Sequence, residues 1–167
     1  MGRSRYCVSC PLGHACANAA VEPTPCVPGT YQANEGQVQN CQACPAGTLA
    51  TRYGQATCDI CPAGHGCDDL KTAIQCSPGT ASLPGEASCR PCVGGTIALY
   101  AGATACLGCP RGHSCQDPDD AVPCASGTYS LGNMTNCTAC PPGYSCPSAG
   151  AAPAKCGDGG YSLSGWQ

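Results

Sequence analysis

The stretch Cys58-Asp-Ile-Cys61-Pro-Ala-Gly-His65-Gly-Cys67 decides the fold, because it recurs along the chain with its cysteines, proline and glycine in the same places. Copies begin at Cys7 and Cys106, and a fourth copy at 137–146 has tyrosine in place of histidine. Such self-similarity is the signature of a repeat architecture. It predicts four cysteine-rich units, the third shortened and the last partial, at 1–57, 58–105, 106–136 and 137–167.

Two kinds of cysteine alternate strictly along the chain. Openers have a glycine three residues later, and they are Cys10, Cys26, Cys44, Cys61, Cys76, Cys92, Cys109, Cys124, Cys140 and Cys156. Closers lack that glycine, and they are Cys7, Cys16, Cys41, Cys58, Cys67, Cys89, Cys106, Cys115, Cys137 and Cys146. Each opener predicts a tight turn, followed by a short strand and a second turn, because proline presets φ and glycine tolerates a left-handed backbone. We therefore expect a small disulfide-rich fold, an elongated tandem array of short β-hairpin or irregular modules with little or no helix.

The composition excludes a conventional hydrophobic core. The 167 residues include 20 Cys and 24 Ala, but only 17 Leu, Ile and Val and no Phe. Cysteine at about 12% of residues marks a disulfide scaffold and an oxidising, extracellular or cell-surface location. Seven Lys plus Arg and a net charge of −3 exclude a nucleic-acid footprint. No segment is apolar enough to predict a membrane span.

The alternation predicts that each opener pairs with the next closer. The expected disulfides are Cys10–Cys16, Cys26–Cys41, Cys44–Cys58, Cys61–Cys67, Cys76–Cys89, Cys92–Cys106, Cys109–Cys115, Cys124–Cys137 and Cys140–Cys146. In the four pairs that span Cys-Pro-x-Gly-x-x-Cys, the spacing leaves open a bond to the next cysteine along the chain. Cys7 is a closer without an opener and Cys156 an opener without a closer. We expect both to have partners outside this segment, which would be a fragment of a longer array.

The pattern Cys-x-x-Gly-Thr-Tyr, a glycine turn, and then Cys-x-x-Cys-Pro-Ala-Gly-Thr resembles the ephrin-receptor-like cysteine-rich repeat, a relative of EGF-like and TNF-receptor-like modules. The resemblance extends from Cys7 to Tyr161. It implies sequential pairing of the cysteine before Gly-x-Tyr with the next closer, and modules that stack end to end. The added closers Cys16, Cys67, Cys115 and Cys146 depart from the simplest pattern. Such modules serve receptors, adhesins, matrix and surface fibres alike, so the resemblance implies architecture more than function.

Other chemistry is less favoured by the repeat. The Cys-x-x-Cys pairs with His14, His65 and His113 permit a zinc-binding interpretation, but the equivalent fourth residue is Tyr144, a poor structural zinc ligand. Catalysis would need one distinguished site, whereas the histidines share a repeat position. We expect no enzyme activity, no cofactor and no metal. The acidic segments 68–69 and 117–120 are more typical of solvated connectors than of a calcium loop.

The near-identical units and low charge favour a non-enzymatic extracellular structural role. We expect a disulfide-stapled rod in a cell-surface stalk, coat or filament that associates with itself or with neighbouring modules. The sequons at Asn133 and Asn136 predict glycosylation, with Asn133 favoured because Asn136 abuts a closer. The alternative is a receptor ectodomain segment that binds a protein ligand at the connector 117–120.

Overall fold

The computed structural model describes residues 7–36 and 40–165. The chain divides into two compact units. Unit 1 comprises Met1–Ile74 and Leu83–Ser88, and unit 2 comprises Gln75–Ser82 and Cys89–Gln167. Across the described residues, all regular structure consists of two-residue β-strands, and no helix is present.

The strands follow one another at short intervals. In chain order they are β1 (His14–Ala15), β2 (Thr24–Pro25), β3 (Thr30–Tyr31), β4 (Gln42–Ala43), β5 (Thr48–Leu49), β6 (Asp59–Ile60), β7 (His65–Gly66), β8 (Ile74–Gln75), β9 (Thr80–Ala81), β10 (Arg90–Pro91), β11 (Thr96–Ile97), β12 (Leu107–Gly108), β13 (His113–Ser114), β14 (Val122–Pro123), β15 (Thr128–Tyr129), β16 (Thr138–Ala139), β17 (Tyr144–Ser145) and β18 (Ala154–Lys155). Consecutive strands pair in two-stranded sheets, β1 with β2, β3 with β4, and so on to β17 with β18. We number the resulting hairpins 1 to 9 in chain order, and hairpin 10 is the segment that begins at Cys156.

The pairing is antiparallel, and its register repeats. In hairpin 2, Thr30 lies opposite Ala43 and Tyr31 opposite Gln42. Hairpin 8 has the same register, with Thr128 opposite Ala139. Because an isolated two-stranded hairpin is only marginally stable in water, these hairpins depend on disulfides and on contacts with neighbouring hairpins for their stability.

The first turn of each hairpin, from its opener to the glycine three residues later, explains where the first strand begins. In hairpin 2 the Thr30 N–H donates to the Val27 carbonyl at 3.0 Å, and the Thr30 hydroxyl donates to the same carbonyl at 2.7 Å. Gly29 lies between them with a φ of 86°, the left-handed value that the third residue of a type II turn requires. The same turn precedes the other threonine-led strands.

Burial separates the two strands of each hairpin. In hairpins 1 to 8 the first strands are half-buried or buried, as at Leu49 and Ile97, whereas β17 in hairpin 9 is exposed. The second strands are exposed at both residues throughout. The buried positions are mostly cysteines and small residues, and the small apolar clusters combine one aliphatic side chain with disulfide sulfur. These features confirm the predicted class, a small disulfide-rich array of tandem hairpins.

Candidate functional site

The openers and closers of the described residues form two kinds of disulfide. Four bonds close segments of six residues, namely Cys10–Cys16, Cys61–Cys67, Cys109–Cys115 and Cys140–Cys146. Five bonds close segments of 13 to 15 residues, namely Cys26–Cys41, Cys44–Cys58, Cys76–Cys89, Cys92–Cys106 and Cys124–Cys137. Cys7 and Cys156 are free thiols, the first exposed and the second half-buried.

The two kinds of disulfide hold different parts of a hairpin. In a long bond, the closer directly precedes the second strand, as Cys41 precedes β4. In a short bond, the closer directly follows the first strand, as Cys67 follows β7. The long bonds therefore tie the opener before the first turn to the start of the second strand, whereas the short bonds tie the opener to the end of the first strand.

The sixth residue after each opener is the position that the sequence reasoning missed. In hairpins with a short disulfide bond, which we call short hairpins, this residue is the closer; in the others, the long hairpins, it is a small or neutral residue. It is almost fully buried at Gln32, Ala50, Cys67, Ser82, Ala98, Cys115, Ser130 and Cys146. The signal was present, because this position holds only Cys, Gln, Ala or Ser in all ten modules. Hydropathy does not mark it, because part of its surroundings lies in neighbouring hairpins.

Within each unit, backbone hydrogen bonds at this sixth position join neighbouring hairpins. In unit 1, the Ala50 N–H donates to the Leu70 carbonyl at 2.9 Å, and its carbonyl accepts from the Gly29 N–H at 2.8 Å. In unit 2, the Ser130 N–H donates to the Ala149 carbonyl at 2.8 Å, and its carbonyl accepts from Gly112 at 2.9 Å. The sixth residue thus bonds forward to the next second turn and backward to the preceding first turn.

The openers add a second set of bonds between neighbouring hairpins. The N–H of Cys61 donates to the carbonyl of Gly47 in the preceding first turn, and the carbonyl of Cys61 accepts from Gly85 in the following second turn, both at 2.9 Å. The equivalent pair at Cys109 involves Gly95 and Asn133. Consecutive hairpins are therefore held by main-chain groups of openers and turn residues.

Glycines also bring together hairpins that are two apart. A Cβ atom on Gly47 would lie less than 3.0 Å from the Gly85 carbonyl oxygen, and one on Gly127 would lie equally close to Gly165. Gly13 has the same relation to Gly54. We call this contact the glycine slot. In it, the first-turn glycine of one hairpin packs against the second turn of the hairpin two places later in the chain.

Asn133 occupies a second-turn position that is glycine in five other hairpins, at Gly36, Gly54, Gly85, Gly102 and Gly165. Its N–H donates to the Cys109 carbonyl at 2.9 Å, and its φ is 55°, as the equivalent glycines have positive φ. The sequence predicts that Gly132 is the glycine of this turn, but in the structure the residue whose N–H bonds to the opener is Asn133. The Asn133 amide oxygen lies where a Cβ on Gly108 would stand. Asn133 and Gly108 are therefore a complementary pair.

The repeated histidines directly follow the first turns, as the first residues of β1, β7 and β13. The Nδ1 atoms of His14, His65 and His113 lie 2.9, 3.0 and 3.1 Å from the backbone carbonyls two residues earlier. Since a carbonyl only accepts, Nδ1 carries the proton in each contact. Tyr144 shares the position, and its carbonyl accepts from the Ser162 hydroxyl at 2.7 Å. Within residues 7–36 and 40–165, no group of three His, Cys, Asp or Glu side chains could hold a metal ion.

The acidic connector of hairpin 4 is ordered by Asp69. Its carboxylate accepts from the N–H groups of Lys71 and Thr72 at 2.8 Å and from the Thr72 hydroxyl at 2.7 Å. The backbone bond from Thr72, followed by its hydroxyl bond, lowers the pKa of Asp69 to about 2. This turn holds Leu70 at a φ of 61°, so that its carbonyl meets Ala50. The carboxylate therefore serves the contact between hairpins 3 and 4.

This arrangement defines a class of protein, the small disulfide-rich proteins built of tandem hairpins. Residues 13–54, about a quarter of the 167, match the family model described as tyrosine-protein kinase ephrin type A/B receptor-like. The match confirms the ephrin-receptor-like resemblance over those residues. It begins and ends at Gly13 and Gly54, the two glycines of one glycine slot.

The family match and the many disulfides fit an extracellular, receptor-type module. In the part of the chain that the structure describes, no helix is long and apolar enough to cross a membrane.

Proposed function

We propose that this chain is a non-enzymatic structural segment of an extracellular stalk, coat or filament. The observation that carries the proposal is the recurrence of the same main-chain bonds and glycine slots from hairpin to hairpin. Stability in such arrays comes from each repeat and its nearest neighbours, so that the array extends by adding hairpins.

The repeated use of polar residues supports this role over catalysis. The three histidines make the same turn contact in three different hairpins, and the carboxylate of Asp69 orders a connector. An active site needs a nucleophile, a base and an orienting group brought together at one distinguished place. Repetition of one role along the chain is what a scaffold requires.

A protein-binding receptor segment is the second candidate. The family match is receptor-type, and the connector 117–120 offers a specific surface in unit 2. Pro118 anchors it, since its carbonyl accepts from the Ala98 N–H at 2.8 Å and its ring lies against Gly79. Asp117, Asp119 and Asp120 are exposed beside this anchor. Three carboxylates on a fixed connector fit a basic protein ligand.

One experiment separates these roles. The purified protein is treated with a thiol reductant or with a metal chelator, and its fold is followed by circular dichroism and its assembly by electron microscopy. The structural role predicts loss of fold and assembly on reduction and no change on chelation, because cross-links replace the missing core. Unfolding by the chelator would contradict it. Crosslinking that captured a soluble partner at 117–120, without self-association, would establish the receptor role instead.

Glycosylation is also part of the proposal. Asn133 and Asn136 are both exposed, and the Asn136 amide lies 3.4 Å from the Thr135 hydroxyl. We propose Asn133 as the main acceptor, because Asn136 abuts a disulfide cysteine. Secreted wild-type, Asn133→Gln and Asn136→Gln proteins are compared by peptide mass spectrometry before and after glycosidase. Glycan on the Asn136 peptide alone would reverse the assignment.

A further inference from the structure

Cys124–Cys137 differs from the other long bonds in how far its cysteines are buried. In those four bonds the opener is 8% exposed or less, and the buried openers are Cys26, Cys44, Cys76 and Cys92. In hairpin 8 both Cys124 and Cys137 are only half-buried. Because a thiolate must reach a sulfur in order to exchange with it, Cys124–Cys137 is the long bond most open to thiol exchange.

The same hairpin holds both N-glycosylation sequons of the 167 residues. Asn133-Met-Thr135 lies between the two cysteines, and Asn136-Cys137-Thr138 includes the closer. The long bond that is most open to exchange therefore closes the loop that contains the favoured acceptor, Asn133.

Folding ties every residue of the first sequon to another hairpin of unit 2. The Asn133 N–H donates to the Cys109 carbonyl at 2.9 Å, and the carbonyl of the next residue accepts from the Cys115 N–H at 3.1 Å. The Thr135 methyl group lies 2.8 Å from the position that a Cβ on Gly94 would take. These partners belong to hairpins 6 and 7, so the sequon is fixed in place when hairpin 8 folds against them.

Transfer of a sugar requires this segment to be free. The amide nitrogen of Asn133 forms a bond to the first sugar of a lipid-linked oligosaccharide diphosphate, the sugar–phosphate bond breaks, and the nitrogen loses one proton while the lipid diphosphate leaves. A transferase recognises the whole sequon, including the Thr135 hydroxyl. In the folded chain that hydroxyl accepts from the Asn136 amide at 3.4 Å, and the backbone before it is bonded to hairpin 7. The folded sequon is therefore a poor acceptor.

A sugar that is already attached fits the folded hairpin. The Asn133 amide oxygen is the atom that occupies the space beside Gly108, whereas the amide nitrogen lies 3.7 Å from the same Cβ position. Asn133 remains exposed. The nitrogen that carries the sugar therefore lies on the outer side of this contact, and glycosylation before folding leaves the pair with Gly108 intact.

We propose that closure of Cys124–Cys137 determines how much of Asn133 is glycosylated. The sequon accepts the oligosaccharide while hairpin 8 is open, and it stops accepting once the disulfide fixes hairpin 8 on hairpins 6 and 7. In closing, the two thiols lose two protons and two electrons to the disulfide of glutathione or of an oxidoreductase, which is reduced to two thiols. This control rests on the proposed glycosylation of Asn133, to which it adds a dependence on the redox state of the secretory lumen.

The test compares three secreted chains, all with the second sequon removed by Asn136→Gln so that one acceptor remains. The first has no further change, the second has Cys124→Ser and Cys137→Ser, and the third has Cys76→Ser and Cys89→Ser. The third is the matched control, because its bond has the same sequence separation of 13, also lies in unit 2 and encloses no sequon. Occupancy of the remaining acceptor is measured by peptide mass spectrometry on protein from cells and medium together, so that retained chains are counted.

We expect partial occupancy in the first chain, a shift to near-complete occupancy when Cys124–Cys137 is absent, and no shift when Cys76–Cys89 is absent. An equal rise in both disulfide variants would mean that any delay in folding has this effect, and it would overturn the proposal. Full occupancy in the first chain, or equal partial occupancy in all three, would overturn it as well while leaving Asn133 an acceptor. No sugar in any of the three would refute the acceptor itself, so the two failures are distinguishable.

Thiol exchange is tested separately on the folded chain. After its free thiols have been blocked, the chain is exposed to a dilute thiol reductant for increasing times, alkylated and analysed by peptide mapping. We expect Cys124 and Cys137 to be alkylated before Cys76 and Cys89, because only in the first pair are both cysteines half-buried. Simultaneous or reversed alkylation would show that Cys124–Cys137 is not the exchangeable bond and would overturn redox control at this hairpin.

Discussion

Replacing Gly47 by alanine tests whether the glycine slot joins hairpins 3 and 5. The added Cβ would overlap the Gly85 carbonyl, which is backbone and has no side-chain rotamer that moves it away. Gly143→Ala is the matched control, because Gly143 has a φ of 80° against 79° for Gly47, and nothing described lies within 4 Å of its Cβ position. Both substitutions introduce the same left-handed backbone strain, so the difference between their losses of stability measures what the glycine slot contributes.

The magnitude follows from the contacts at each glycine. Alanine in the left-handed region costs about 1–2 kcal/mol in either variant. At Gly47, overpacking adds about 1–3 kcal/mol. Displacing Gly85 also weakens its 2.9 Å bond to the Cys61 carbonyl, worth about 1 kcal/mol. We therefore expect Gly47→Ala to lose about 3–6 kcal/mol and Gly143→Ala about 1–2 kcal/mol.

Hydrogen exchange measured by mass spectrometry reads this difference locally. The peptide that contains Gly85 should exchange at least about 30-fold faster in Gly47→Ala than in the wild type, since about 2 kcal/mol corresponds to that factor. Gly143→Ala should leave this peptide unchanged. Equal protection of the Gly85 peptide in both variants would refute the slot, because the two chains would then differ in strain alone.

Three further predictions follow from the contacts of single residues. Hydrogen bonds hold the pKa of Asp69 near 2, so the carboxylate stabilises its turn above about pH 4, and this stabilisation should disappear as the pH falls from 4 to 2. Amide exchange of this turn, measured as a function of pH, should show that dependence in the wild type and lose it in Asp69→Ala. Gly108→Ala should destabilise unit 2 by about 1–3 kcal/mol in thermal unfolding, and adding Asn133→Gly should restore most of the loss, since the amide that overlaps the new methyl is then gone. The double substitution Cys61→Ala and Cys67→Ser should lower the free energy of unfolding, measured in urea, by about 2 kcal/mol, as the chain-entropy model gives for a short loop. Complete unfolding would contradict the view that Cys67 occupies a position that Ala and Ser also fill.

The first turns and the hairpins could be predicted from the sequence, because the residues that form them are adjacent. An opener, a proline or small residue, and a glycine three positions later contain the whole turn within four residues. The buried sixth position could not be found in this way, because the backbone groups that bond to Ala50 and Ser130 lie in the hairpins before and after them. The part played by Asn133 depends on Gly108, a residue 25 positions earlier, and no local pattern connects them.

The bonds between hairpins come from main-chain groups and glycines, while the second strands face solvent. The first residues of β6, β10, β16 and β18 thus share one structural position with four different chemistries, namely Asp59, Arg90, Thr138 and Ala154. Substitution at this position can alter surface charge or hydrophobicity module by module, because the main-chain bonds between hairpins are made elsewhere. The scaffold can therefore remain constant while its outer surface diversifies freely over evolutionary time.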